Sequence, residues 1–277
     1  MIKDWFDSYN ATTQDEISKA KREIIQYITL SGLSRSDFFS KASYYGGTAL
    51  RMLYGLPRFS EDIDFSLNYT DPNFTLQNYF PYIKKECVLH GLEVDLSIKE
   101  KVEPNDVESA FLKDNTELNI LTVNQKFAPT IKIKVEIDRN PPLLFETEPK
   151  LIIRPYSFYV NTFKEPYLFA GKMHTFLFRE WKTRVKGRDW YDLEWYIKRG
   201  TSLSLSHLQE RAIQSDHLPK GTILDKELLS KLLEDKISST DIENAISDIK
   251  RFIQNPKELD IWSKQYFLDL VKKMKVE

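Results

Sequence analysis

Apolar positions follow two regimes along the chain. Up to about residue 160 the helical and strand periods alternate, and beyond it only the helical period persists. Residues 13 to 30 carry Ile17, Ile24, Ile25 and Ile28 near helical spacing, and Thr13 with Glu16 has the form of a capping box. A second helix is predicted over Ser36–Ala42, a short strand at Tyr44–Tyr45, and a helix from Thr48 that ends before Gly55 or Pro57. Ile63 and Phe65 mark a strand, Asn68–Pro72 a turn, and residues 75 to 90 a helix stopped by Gly91. Strands are predicted over Leu92–Lys99, Glu117–Gln125 and Thr130–Asp138. The last alternates cleanly, with Ile131, Ile133, Val135 and Ile137 on one face and Lys132, Lys134, Glu136 and Asp138 on the other. Pro141-Pro142 stops it, and residues 151 to 155 add a short strand. Helices are then predicted over 165–181, 188–199, 204–214, 225–235, 239–253 and 258–274. The expectation is an α+β fold: residues 1–160 form a mixed sheet flanked by helices, with N-terminal helices, and residues 161–277 form a helical domain.

Composition narrows this picture without changing it. Of 277 residues 41% are hydrophobic, enough for a sizeable core, and 9 glycines with 12 prolines argue against long linkers. The single cysteine, Cys87, rules out an intramolecular disulfide, fits a reducing compartment and reads as a buried thiol. No segment approaches the roughly 18 apolar residues of a membrane span, and the N-terminus has no apolar signal core, so a cytoplasmic protein is expected. A net charge of −1 argues against a molecule-wide polyanion binder but leaves room for a local basic face.

The candidate chemistry lies between Gly46 and Phe65. Gly46-Gly47-Thr48 opens a helix, where unpaired N–H groups and the helix dipole favour anions. Glycine also lets backbone approach a phosphate closely. A loop then leads to Asp62-Ile63-Asp64-Phe65, in which strand alternation turns both carboxylates one way and the apolar pair into a core. Alone, that pattern also describes a solvated strand face. Beside the turn, two oxygen donors suit a divalent cation carrying a nucleoside triphosphate, and nucleotidyl transfer is the expected chemistry. Such transfer usually takes a third carboxylate. Glu136 and Asp138 share a face and are both candidates, with Glu136 favoured because Asp138 lies nearer the strand end. Both acids could instead pair with Lys132 and Lys134, which could themselves meet phosphate.

Further on, Lys172, Arg179, Lys182 and Lys186 fall at steps of one helical stripe, which reads as solvated surface or a basic face for RNA. Asp189 and Asp192, three apart, share a helical face, and Asp189 is also placed as a helix cap. His174 has no second ligand at zinc spacing and reads as a packing residue. There is no P-loop and no Gly-x-Ser-x-Gly elbow.

Taken in order, these pieces resemble the AbiEii/AbiGii toxin family of nucleotidyltransferase-like proteins, over roughly residues 40 to 200. Gly46-Gly47-Thr48-Ala49-Leu50-Arg51 is similar to its opening turn. Arg58-Phe59-Ser60-Glu61-Asp62-Ile63-Asp64-Phe65 is similar to its Asp-x-Asp strand with preceding Arg and hydroxyl. Lys134-Val135-Glu136-Ile137 is similar to its third-acid strand, Ala170-Gly171-Lys172 to its Lys motif, and Arg188-Asp189-Trp190-Tyr191-Asp192-Leu193 to its closing signature. The resemblance implies a DNA polymerase β-like nucleotidyltransferase core with a mixed sheet, followed by a helical domain contributing Lys172 and Asp189. It implies a toxin with a separately encoded antitoxin, often in phage defence, using an NTP with Mg²⁺ (or Mn²⁺) and in some members modifying tRNA 3′ ends. Carried over, Asp62, Asp64 and Glu136 bind the metal. Gly46, Gly47, Thr48, Arg58, Ser60 and Lys172 hold the NTP, and Asp189 orients Lys172 or meets the nucleotide. Alternative readings are a small-molecule nucleotidyltransferase and an inactive nucleotide- or partner-binding module.

Overall fold

The computed structural model describes residues 2–98, 116–123, 130–179 and 185–277. By internal contacts the chain divides into two units. The first comprises Met1–Gly55, Phe59–Pro141 and Thr147–Thr162, and the second Leu56–Arg58, Pro142–Glu146 and Phe163–Glu277.

The first unit begins with α1 (Ile2–Asp7), α2 (Gln14–Ser34) and α3 (Phe38–Lys41), then β1 (Ala42–Tyr45) and α4 (Gly46–Tyr54). The predicted capping box forms: Thr13 accepts from the Glu16 N–H, and the Glu16 carboxylate accepts from the Thr13 N–H. There follow β2 (Ile63–Leu67), a 3-10 turn at Leu76–Tyr79, α5 (Phe80–Leu89), β3 (Val94–Ile98), β4 (Thr116–Val123), β5 (Ile131–Asp138), β6 (Thr147–Ile152) and β7 (Phe158–Phe163). Lys99, Asn124 and Gln125, at the ends of two predicted strands, lie outside the described residues. Among the described residues seven strands form one sheet, in the order β3-β4-β5-β2-β1-β7-β6.

Alternation on β5 is as the sequence predicts. Ile131, Ile133, Val135 and Ile137 are buried, and they join Ile63, Phe65, Leu67, Tyr44 and the α2 residues Ile24, Ile25 and Ile28 in one core. Cys87 is buried there as well, and burial pushes its thiol up to about 12. β7, which runs to Phe163, is a strand that the sequence pattern does not predict. One expectation needs correction. The second helix is shorter than predicted, because Ala42 is already extended and pairs with Leu67.

The second unit carries α6 (Glu165–Phe178), α7 (Gly187–Arg199), β8 (Ser202–Leu203), α8 (Leu205–Gln214), α9 (Lys226–Ser239), α10 (Ile242–Ile249), α11 (Lys264–Val271) and β9 (Lys275–Val276). Among the described residues after α6 begins it is helical apart from the parallel pair β8–β9, which the sequence pattern does not reveal. Gly187 is required by packing: a Cβ there would lie 2.0 Å from the Ala245 carbonyl oxygen of α10. Among the described residues no helix is long and apolar enough to cross a membrane.

His207 sits buried among Phe145, Phe163 and Tyr167, and its Nδ1–H donates to the Leu144 carbonyl at 2.9 Å. Burial, with the Arg211 charge, pushes its pKa down to about 3. An unfolded histidine titrates near 6.5, so the unfolded chain binds more protons between those values. The stabilisation is present above about pH 6.5 and is lost as pH falls toward 3. Denaturant unfolding should therefore show a loss of about 2–3 kcal/mol between pH 6.5 and 4.5. His207→Phe should flatten that slope whatever its offset at pH 7.

Candidate active site

The acids of the first unit are brought together by register. β2 pairs in parallel with β5, which sets Asp64 opposite Glu136, with Ile63 opposite Val135 and Phe65 opposite Ile137 on either side. Directly opposed residues on neighbouring strands present their side chains to the same face. Asp64 and Glu136, both half-buried, therefore form a cross-strand carboxylate pair. Asp138 shares the face but sits opposite Ser66, and its Oδ1 accepts from the Asn140 N–H at 3.1 Å, so it shapes the turn that ends the strand.

Asp62 lies one residue before β2 begins, not on the strand as the alternation suggested. Its position is set by its backbone, because the buried Thr48 hydroxyl donates to the Asp62 carbonyl. Thr48 is fully buried with its hydroxyl committed to that bond, so only its backbone N–H faces the expected phosphate role.

Gly46 stands at the head of α4 with φ +81°, a conformation that favours glycine. A Cβ there would lie 2.1 Å from Asp64 Oδ2 and 2.8 Å from Asp64 Cγ. The Asp64 carboxylate thus lies against the glycine turn at a helix N-terminus. A phosphate at the same helix head would meet this carboxylate as a like charge unless a cation came between them. Among the described residues no three His, Cys, Asp or Glu side chains are gathered as a ready metal cage. Mg²⁺ does not need one: it commonly takes one or two carboxylates and completes its shell with water and substrate phosphate. The oxygen donors of this face fit such an ion.

Of the other predicted residues, Gly47 and the buried Ser60 belong to the first unit, and Arg58, Lys172 and Asp189 to the second. Arg58 and Asp192 are both buried and joined by a fork, Nε to Oδ1 at 2.6 Å and Nη2 to Oδ2 at 2.6 Å. Lys172, on α6, places Nζ 2.9 Å from Asp192 Oδ2. Asp189 instead meets Arg179, at 3.2 Å. The residue that holds Lys172 is therefore Asp192, which the sequence reading placed in the signature but gave no role. A signal was available: Asp192 stands mid-helix beside Trp190, Tyr191 and Leu193, and a carboxylate buried among such residues needs a cation. Burial alone would raise its pKa. The Arg58 and Lys172 charges outweigh burial and hold the carboxyl down at about 2.

The basic stripe is not one helical face. α6 stops at Phe178, Arg179 and Lys186 flank the helix ends, and Lys182 lies outside the described residues. His174 is buried, as a packing residue would be.

Residues 28–269 match the model of the nucleotidyl transferase AbiEii toxin family, of type IV toxin–antitoxin systems. The chain belongs to the AbiEii family. It is therefore a nucleotidyltransferase of a toxin class, and membership implies a cognate antitoxin. Solved structures carry the same fold. JHP933 from Helicobacter pylori is 19% identical, with a TM-score of 0.54 over 95% of this chain and 91% of that one. MenT4, the nucleotidyltransferase toxin Rv2826c of Mycobacterium tuberculosis H37Rv, is 15% identical, with a TM-score of 0.53 over 99% and 88%. No curated protein matches the chain.

Removing Asp192 from this AbiEii chain leaves two cations in a buried setting. Asp192→Ala should cost about 3–5 kcal/mol in denaturant unfolding. Arg58→Met should cost less in the Asp192→Ala background than in wild type, because it removes a charge that has lost its partner. Equal costs in the two backgrounds would show that the fork is uncoupled from the fold. The Asp192 contribution is complete above about pH 4 and is lost as pH falls toward 2.

Proposed function

We propose that this AbiEii protein transfers a nucleoside monophosphate from an NTP to a hydroxyl on RNA, tRNA 3′ ends among the acceptors, in a reaction that uses Mg²⁺ or Mn²⁺ in the cytoplasm. The observation that carries the reading is the in-register pairing of Asp64 with Glu136, with the Asp64 carboxylate against the Gly46 turn. Family membership supplies the reaction class. An RNA acceptor suits a toxin, because an NTP-using transferase disables translation by blocking hydroxyls that translation needs.

Asp62, Asp64 and Glu136 would hold the cation, with Asp138 left to its turn. A bound divalent ion would neutralise triphosphate charge and favour the ionised form of the attacking hydroxyl. The backbone N–H groups of Gly47 and Thr48 orient phosphate at the head of α4, with Ser60 on the loop that leads to Asp62. Lys172 is assigned to the triphosphate on the family signature, with Asp192 rather than Asp189 as the residue that fixes its ammonium. The acceptor oxygen forms its bond to the α-phosphorus as the bond to the β-phosphate oxygen breaks and pyrophosphate leaves. Positioning and charge stabilisation provide the rate.

The test is incubation of purified protein with α-labelled NTPs, total RNA and Mg²⁺ or Mn²⁺. Label should enter RNA. Asp64→Asn and Glu136→Gln should each lower the rate at least 100-fold, on the order expected for a lost charge-stabilising group, without lowering the unfolding temperature. Asp138→Asn should stay within about threefold, since its carboxylate serves a turn. Wild-type turnover by Glu136→Gln would overturn the assignment, and label confined to small molecules would overturn the RNA acceptor.

A further inference from the structure

We propose that Gln26, on α2, is a positioning residue for this reaction, acting through the backbone that carries Asp62. The inference rests on the reading of Asp62 as a metal-binding acid.

Residues 55 to 62 connect α4 to β2 without regular secondary structure. Such a segment has no ladder to fix its peptides, yet three consecutive carbonyls here are each gripped from outside. The Gln26 side-chain amide donates from Nε2 to the Ser60 carbonyl at 3.3 Å and to the Glu61 carbonyl at 2.9 Å. The Thr48 hydroxyl donates to the next carbonyl, that of Asp62. Fixing successive peptide planes fixes the φ and ψ angles between them, and so the direction in which the Asp62 side chain leaves the chain.

The chemistry of Gln26 argues that the amide is kept for this purpose. Gln26 is 1% exposed, on a stretch of α2 where Ile24, Ile25, Ile28, Leu30 and Leu33 are all buried in the core. An apolar side chain is the ordinary occupant of such a position. Gln26 Oε1 is buried with no hydrogen-bond partner among the described residues. A buried acceptor left in that state is destabilising. The residue therefore accepts a local loss of stability and returns a fixed Ser60–Asp62 backbone. A displacement of about 1 Å at a reacting centre can cost about 10²-fold in rate, so a clamp of this kind has catalytic leverage.

The test compares Gln26→Met, near in volume and without either polar atom, with Thr48→Val and Thr48→Ser. Gln26→Met should fold with an unchanged or higher unfolding temperature. It should lower kcat about 10- to 100-fold with KM for the NTP within about threefold, as expected for misplacement at the reacting centre. Hydrogen exchange at the Asp62 and Ile63 amides should be faster. Thr48→Val should act alike, and Thr48→Ser, which keeps the hydroxyl, should restore turnover. A Gln26→Met protein that unfolds, or one with wild-type kcat and exchange, would overturn the inference. Asp62→Asn is run alongside. Full activity there removes the reading of Asp62 itself, whereas loss there with wild-type Gln26→Met removes only the role of Gln26.

Discussion

The parallel pairing of β2 with β5 is the constraint on which the site depends. Side chains on a strand alternate with a period of two, so a slip of one residue would turn Ile63, Phe65 and Leu67 outward and the acids inward. All three are fully buried, as are Ile133, Val135 and Ile137 opposite. Each such side chain contributes about 1.5–3 kcal/mol by burial, so the correct register is favoured by on the order of 10 kcal/mol. Two carboxylates on one face repel by about 4 kcal/mol at 4 Å in a surface-like dielectric. Burial wins. The core thus places Asp64 opposite Glu136 as a consequence of packing, with no contact between the acids needed to hold them there.

The same logic separates rigid and pinned parts of the first unit. Asp64 and Glu136 sit on neighbouring strands inside a sheet, and their backbones are fixed by ladder bonds on both sides. Asp62 lies outside that ladder, and the side chains of Thr48 and Gln26 hold its peptide and the two before it. Gly46 belongs with the rigid part. Its φ and its contact with the Asp64 carboxylate come from one close approach, in which the strand end and the helix head share a space that no Cβ could enter. In the second unit, burial rather than register sets the order. Asp192 is satisfied by two cations at once, and removing either leaves charge in a poorly solvated place.

What could be read from the sequence follows from how local each cause is. β5 was legible because its alternation is complete within eight residues, and α2 because its capping box lies within four. The glycine turn and the acid pair were legible for the same reason. β7 escaped because polar Thr162 takes an inward position and aromatic Tyr159 an outward one, which blurs the period in the sequence; the Thr162 hydroxyl donates to the Tyr44 carbonyl across the sheet. The basic stripe misled because its spacing assumes a helix that continues, whereas α6 ends at Phe178. The fork from Arg58 to Asp192 spans 134 residues, and nothing near either residue names its partner. Gln26 was invisible altogether. A glutamine in an apolar helix reads as a surface residue, and only the fold shows that its amide donates to the carbonyls of two successive loop peptides.

These causes also explain why the acidic face coexists with a stable fold. Two carboxylates facing each other across neighbouring strands repel when judged as a pair. What maintains the pair is that its geometry is decided elsewhere, by apolar neighbours one residue away on each strand. The proposed cation and triphosphate would then meet donors already aimed, so little binding free energy would be lost in ordering flexible side chains. Sheet register is the means by which this fold keeps charge preorganised, and the loop clamp extends the same device to the one acid that the sheet does not reach.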